Sequence, residues 1–256
     1  MIDVATVSLQ GKRPSNQDRI LIVPSDERDG RIVAAVADGL GGMQAGDKAA
    51  EIAVRTLQEA AGELLARMSD DPAAARDSIL DFYQQANREI RTYAQTHARL
   101  GAVGTTLVLL IASGPRYLVV NAGDSRCYLV DDRGVRRMTH DHTVADSLLQ
   151  HGALAAKDYA SSPLRNQLTK SLGPKPQCDP DIFPETDFGV IDRECTFLLC
   201  SDGFYSKLED EDLAELAGAS SGLDPVLEKL AAEALKRETS DNLSAVAVRF
   251  FTPPAP

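Results

Sequence analysis

Four short apolar runs in this chain stop at an aspartate or start just after one. Asp38 follows Ile32 to Ala37, and Asp124 comes after Tyr117 to Asn121 across a two-residue step. Asp202 follows Phe197 to Cys200, and Asp241 precedes a run that starts near Ser244. Apolar runs of this length, bounded by Gly, Asp and Asn, read as strands. The chain is therefore expected to be a sheet protein with carboxylates at four strand ends. Gathered at one sheet edge, such carboxylates repel unless cations sit between them. An oxygen-only cluster suits hard cations such as Mg²⁺ and Mn²⁺. Asp-Gly and Asp-Asn are also ordinary turn pairs. Each aspartate taken singly is explained that way, and Asp29-Gly30 is read only as a turn.

The remaining pattern alternates between the two hydrophobic periods. Strands are expected at Val4 to Leu9, Ile20 to Val23 and Ile32 to Ala37, the last two joined by the polar loop Asp26 to Gly30, which suits a hairpin. Asp47 to Met68 has a helical period. Asp71-Pro72 reads as the start of a second helix with Ala75, Ile79, Phe82, Ala86, Ile90 and Tyr93 on one face. Strands return at Thr105 to Ala112, Tyr117 to Asn121, Arg126 to Val130, Thr196 to Cys200 and Ser244 to Phe251, with a short one after the Asp131 to Gly134 turn. Helices are expected at Thr143 to His151, around Asp210 to Ala217 and at Pro225 to Arg237, while Gly152 to Asn166 reads as a mobile loop. Strands in runs with helix pairs between them place the chain in the α+β class, with antiparallel sheets covered by helices. No composition shift marks an internal boundary, so residues 1–251 are expected to form one domain. Thr252 to Pro256 reads as a short Pro-rich tail.

Charge and cysteine usage narrow the function classes. With 27 basic and 38 acidic residues the formal net charge is −11, which argues against a nucleic-acid partner. An acidic protein can still act on phosphate esters where bound cations reverse the local field. Cys127, Cys178, Cys195 and Cys200 form no C-x-x-C pair and read as buried thiols. No stretch approaches the roughly 18 uninterrupted apolar residues of a membrane helix, and Met1-Ile2-Asp3 lacks the basic start of a signal peptide. The expectation is a cytoplasmic protein with no membrane segment.

Asp38-Gly39-Leu40-Gly41-Gly42 lies between a strand and a helix. A dinucleotide fingerprint fails at Gln44, where a third glycine is needed, and the Gly-Lys-Ser/Thr of a P-loop is missing. The glycines suit close backbone approach to an ion, with the Gly39 carbonyl turned toward a cation held by Asp38. Arg13, in Arg13-Pro-Ser-Asn-Gln-Asp18, is a solvated surface residue if read alone; near the aspartates its planar fork suits a phosphate.

Taken together, these segments resemble the metal-dependent protein phosphatases of type 2C. The resemblance rests on Arg13 to Asp18, Ala37 to Gly42, Gly104-Thr105-Thr106, Asn121 to Arg126, Asp141-His142-Thr143, Leu199 to Gly203 and Ser240-Asp241-Asn242, in the family's order across nearly the whole chain. The lack of inserts is similar to the compact bacterial branch. The resemblance implies a four-layer α-β-β-α sandwich of two mostly antiparallel sheets, with Mn²⁺ or Mg²⁺ in a cleft at one edge. By motif position Asp38 would bridge two ions, with Asp202 and Asp241 completing the first site. The Gly39 carbonyl would join the second, with Asp18 acting through water. Asp124 and Asp202 would hold a possible third ion, Arg13 would bind substrate phosphate, and Gly152 to Asn166 would be a flap beside the cleft.

The implied reaction is hydrolysis of phosphoserine or phosphothreonine by direct attack of a metal-bridging water, without a phosphoenzyme. The implied partners are phosphorylated proteins and a Ser/Thr kinase that the enzyme opposes, and a monomer is expected. One departure bears on mechanism: the histidine that animal members carry after A-D-G is Leu40 here, which cannot donate a proton. A metal-bound water is the candidate acid instead, with His140 and His142 as nearby alternatives, although a histidine at a strand end is more often a hydrogen-bonded structural group. Two other readings of the same fold stay open: a non-catalytic phosphoprotein-binding module and a phosphatase for small phosphoesters.

Overall fold

The computed structural model describes residues 1–26, 30–41, 45–97, 103–218 and 222–251. Among them the chain begins with β1 (Ile2–Leu9), β2 (Asp18–Asp26) and β3 (Arg31–Leu40), followed by the long helices α1 (Ala45–Arg67) and α2 (Pro72–Thr96). The middle holds β4 (Gly104–Thr105), β5 (Leu107–Ser113), β6 (Arg116–Ala122), β7 (Arg126–Asp131) and β8 (Gly134–Arg137), then α3 (Val144–Gln150) and α4 (Ala156–Tyr159). The last third is β9 (Asp181–Phe183), β10 (Gly189–Val190), β11 (Cys195–Cys200), α5 (Asp202–Tyr205), α6 (Asp210–Leu213), α7 (Leu223–Lys236) and β12 (Leu243–Phe250).

Among the described residues two sheets form, and every strand pairing is antiparallel. One has the order β1-β12-β11-β7-β8; the other runs β10-β6-β5-β3-β2, with β9 also on β6 and β4 on β3. The two-residue period of β3 explains the layering. Val33, Ala35 and Ala37 pack against α1 and α2. Ile32, Ala34 and Val36 pack against Phe197, Leu199, Val246 and Val248 of the facing sheet. The far side of that sheet buries Leu198, Ala245 and Ala247 against Leu227, Leu230 and Ala234 of α7. Three apolar layers therefore bind four structural ones, the α-β-β-α order that the resemblance implies. Asp38 continues the even parity of Ile32, Ala34 and Val36, so its strand delivers it to the end of the space between the sheets.

The expected helix start at Asp71 is present, with its side chain accepting the Ala74 N–H at 3.0 Å. β2 and β3 form the expected hairpin, pairing as far as Asp26 and Arg31. Its tip, including Asp29, lies outside the described residues, as do Gly42 and Thr252 to Pro256. Three expectations need correction. The single strand Thr105 to Ala112 is two, broken at Thr106 because that residue turns its N–H to the Asp38 carbonyl at 2.9 Å. Gly152 to Asn166 is not one irregular loop: it contains α4 and a 3-10 turn at Pro163–Asn166, whose Ser162 side chain accepts the Leu164 N–H. Such short turns lack the length needed to show a period. Asp210 to Ala217 divides into α6 and a 3-10 turn at Ala214–Gly218. The short β9, β10 and α5 were not foreseen from the sequence, for the same reason of length.

Phe197 is fully buried between the sheets, its ring 4.8 Å from that of Tyr117 and 5.9 Å from that of Phe250. Phe197→Ala is expected to lower unfolding stability by about 3–5 kcal/mol, read from the urea midpoint at constant slope. A loss below about 1 kcal/mol would contradict a tightly packed inter-sheet layer.

Candidate active site

The aspartates are held by bonds to the backbone around them. Asp18 and Asp38 are directly opposite across β2 and β3. The Asp38 N–H donates to Thr106 Oγ1 at 3.0 Å, and its carbonyl accepts from the Thr106 N–H and Thr105 Oγ1, both at 2.9 Å. Gly39 is needed for packing: a Cβ there would stand 2.3 Å from the Gly46 carbonyl oxygen at the start of α1 and 2.8 Å from that of Gln17. This reason for the glycine was not visible in the sequence and stands beside the expected role of its carbonyl.

Asp202 opens α5 behind Ser201, whose Oγ donates to Asp18 Oδ2 at 2.8 Å. Asp241 Oδ1 accepts the Asn242 N–H at 2.8 Å, and its Oδ2 accepts from Arg13 at 2.6 Å. Asn242 ties down the loop that carries Arg13. Its amide donates to the Gln10 and Ser15 carbonyls, each at 2.8 Å, and its oxygen accepts the Gln17 N–H at 2.9 Å. Asp124 follows Gly123, which has φ 129°. Gly123 is clamped to His142 twice: its N–H donates to Nδ1 at 3.0 Å, and its carbonyl accepts the His142 N–H at 3.0 Å.

Arg13, Asp38, Gly39, Asp124, Asp202 and Asp241 line one cleft of about 230 Å³, together with Leu40 and with Asn166 and Leu168 from the Gly152-to-Leu168 side. Asp18 is 2% exposed and reaches this group through Asp38 and Ser201 rather than by lining the cleft. Arg13 and Asp241, expected in separate roles, are bonded to each other. Both are partly exposed, so the pair is worth about 1 kcal/mol or less and exchanges readily for another anion. A second cavity, about 250 Å³, lies among Tyr117, Arg133, Arg136 and Phe197 and contains none of the expected site residues. Thr106, Ser201 and Asn242 were missed as positioning residues. They stand in the same short motifs as the aspartates, but their role shows only when distant segments meet.

Electrostatics at the cleft are strained. Loss of hydration pushes Asp38 well above the usual carboxylate value, with Asp18, Asp202 and Asp124 adding like-charge repulsion. Desolvation raises Asp124 to about 8, reinforced by Asp202. It raises Asp18 and Asp202 to about 6 each, Asp18 despite hydrogen bonds from Ser244 and Ser201. Among the described residues, one buried oxygen on each of Asp18 and Asp202 has no hydrogen-bond partner. Unpartnered anionic oxygens in a repelling, oxygen-only set fit a hard divalent cation. Among the described residues no three acidic, histidine or cysteine side chains are gathered tightly enough to grip one ion.

The histidines have structural roles. His142 Nδ1 accepts the Gly123 N–H, so that nitrogen is occupied in holding the backbone. Its Nε2 is 3.0 Å from Asp181 Oδ2 without the alignment of a hydrogen bond. The His140 ring packs edge-on against Phe183.

A sequence model of the protein phosphatase 2C family matches residues 10–245. The chain belongs to that family. It is 32% identical over 225 residues to the serine/threonine phosphatase stp of Listeria monocytogenes, covering 87% of this chain and 86% of that protein. Among solved structures it is similar to the Streptococcus agalactiae serine/threonine phosphatase, at 25% identity and TM-score 0.84, covering 98% of this chain and 100% of that one. The catalytic domain of the phosphatase PstP in complex with two manganese ions gives TM-score 0.79 at 22% identity, covering 98% and 99%. At that identity the likeness speaks for the fold alone.

The raised carboxyls of this phosphatase 2C chain set the sign of its pH dependence. Between about pH 4 and 8 the folded chain keeps protons on Asp18, Asp124 and Asp202 that the unfolded chain has released, so stability falls as pH rises through that window. Asp141 does not offset this over most of the window: although burial alone would raise it, Arg126 and Arg137 hold it below the usual range, so its contribution is complete by about pH 5. In chelator, Tm is expected to fall from about pH 5 to about pH 8, and saturating Mn²⁺ is expected to remove the fall. A flat or rising Tm in chelator would mean that the aspartates do not repel.

Proposed function

We propose that this chain is a protein phosphatase that hydrolyses phosphoserine and phosphothreonine. In this reading residues 1–251 act as one catalytic domain and Gly152 to Asn166 forms a flap beside the cleft. The observation that carries the reading is the convergence of Asp38, Asp124, Asp202, Asp241 and Arg13 on one cleft in a chain of the phosphatase 2C family. Asp38, Asp202 and Asp241 would hold one cation, and Asp38 with the Gly39 carbonyl a second, with Asp18 acting through water. Asp124 and Asp202 would share a third. Bound Mn²⁺ or Mg²⁺ supplies Lewis acidity and a nucleophilic water near neutral pH.

The chain's own residues do the rest. Asp38 stays fixed because Thr105 and Thr106 grip its backbone and leave its carboxylate free. Arg13, released from Asp241, offers its fork to the phosphate oxygens and offsets charge that builds up on them. Asn242 keeps the Arg13 loop in register with Asp241. Leu40 cannot protonate the departing serine or threonine oxygen, and His142 is engaged in a structural clamp on Gly123. Solvent in the open cleft is left as the proton source. A cysteine nucleophile is disfavoured, because burial pushes the thiols up, Cys178 to about 11 and Cys195 to about 12, and Cys127 and Cys200 also upward.

The substrates of such an enzyme are phosphoproteins made by a Ser/Thr kinase, which it opposes. No described helix is long and apolar enough to cross a membrane. The reading takes the enzyme as a cytoplasmic monomer.

Phosphate release from a phosphothreonine peptide is expected to require Mn²⁺ or Mg²⁺ and to fall by about a hundredfold or more in Asp38→Ala. Arg13→Ala is expected to raise KM about tenfold, as loss of a charge-assisted hydrogen bond implies. Release that persists in chelator, or in Asp38→Ala, would defeat the proposal.

A further inference from the structure

Residues 155–166 end on the cleft wall at Asn166, and their hydrogen bonds are almost all internal. The Asp158 N–H meets the Ala155 carbonyl, the Ser162 N–H meets the Tyr159 carbonyl, and Arg165 donates to the Ala160 carbonyl. Among the described residues, one side-chain hydrogen bond ties this segment to the β-sandwich: Tyr159 Oη donates to Asp141 Oδ2 at 2.9 Å. The acceptor is unusually well placed. Asp141 is 3% exposed and takes a two-pronged bond from Arg126, Nε to Oδ1 at 2.8 Å and Nη2 to Oδ2 at 2.6 Å.

The same guanidinium lies 3.8 Å over the Tyr205 ring, and Tyr205 Oη donates to the Asp124 carbonyl at 2.9 Å. A continuous set of contacts therefore runs from α4 to the turn that presents Asp124. The expected catalytic machinery does not use this route. Asp141 was noted in the sequence only as part of Asp141-His142-Thr143, and Tyr159 was not noted at all.

We propose that Tyr159 is a latch that seats the flap on the buried Asp141–Arg126 pair, and that the seated flap determines how well the cleft holds protein substrates. Tyr159 is a positioning residue. A phenol is suited to this work, since it gives one directional bond to a carboxylate whose charge Arg126 already offsets. Arg126 with Asp141 would be expected to hold the Asp124 turn whether or not the flap is seated. Asn166, the last residue of the latched segment, and Leu168, just beyond it, lie on the cleft wall. An unlatched flap would therefore change the wall that a peptide meets while leaving the floor of aspartates in place. The kinetic part of the proposal rests on the phosphatase reading; the structural part does not.

The test is Tyr159→Phe in the full chain, which removes one oxygen and preserves the ring. Amide hydrogen exchange over residues 155–166, measured without metal or substrate, is expected to be about tenfold faster than in wild type, with exchange in β3, β11 and β12 unchanged. With Mn²⁺, KM for a phosphothreonine peptide is expected to rise severalfold. Turnover of p-nitrophenyl phosphate, too small to reach the flap, is expected to stay within twofold. Asp141→Asn, which weakens both the latch and the Arg126 pair, should speed exchange in the flap and in residues 121–126 together. Unchanged flap exchange in Tyr159→Phe overturns the latch. Faster exchange with equal losses on both substrates overturns its role in protein-substrate binding. An inactive wild type would sink the phosphatase reading, while the exchange comparison would still decide the latch.

Discussion

Repulsion among aspartates at one end of the sandwich is the constraint that the rest of the structure answers. Asp18, Asp38, Asp124 and Asp202 are all pushed above their ordinary values by desolvation and by one another. A chain pays for such a cluster in stability, so the frame beneath it has to be stiff. The three apolar layers supply that stiffness, because strands β3, β11 and β12 are buried along nearly their whole length. Each strand that carries an aspartate at or near its end is thus anchored by core packing on the way there.

The polar groups near the cleft divide their work in a consistent way. Thr105 and Thr106 bond the backbone of Asp38, Asn242 bonds the backbone of residues 10–17, and His142 bonds the backbone of Gly123. The carboxylate oxygens are mostly left alone, and two buried ones have no partner among the described residues. Fixing main chain while leaving side-chain oxygens free is what a site needs if an external cation is to complete it. Asp18 accepts from Ser201 and Asp241 from its own neighbour Asn242, while the Arg13–Asp241 bond is exposed and so the exchangeable one.

A second, drier set of charges lies beneath the cleft. Arg126 and Asp141 satisfy each other with two short bonds, and both are largely buried. Breaking such a pair from one side is costly, because the remaining charge stays in low dielectric. The cleft carboxylates invite a cation from outside, whereas this pair is closed and serves as a fixed point from which Tyr205 supports Asp124 and Tyr159 reaches the flap.

Much of this was legible in the chain itself. The two-residue period of β3, the helix start at Asp71-Pro72 and the aspartates at strand ends are local features, set by side-chain alternation and backbone geometry within a few residues. They sufficed to assign α+β and to pick out Asp38, Asp124, Asp202 and Asp241. The short elements α4, β9 and β10 lacked the length to show a period. The partners of each functional group were also hidden: Arg13 meets Asp241 across 228 residues, Asn242 meets Gln10 across 232, and Ser201 meets Asp18 across 183. Sequence alone determined which residues stand at strand ends and which side of each strand is apolar. Only the tertiary structure decided which ends share a cleft, because strand order is set by how three apolar layers pack together, and no local pattern encodes that order.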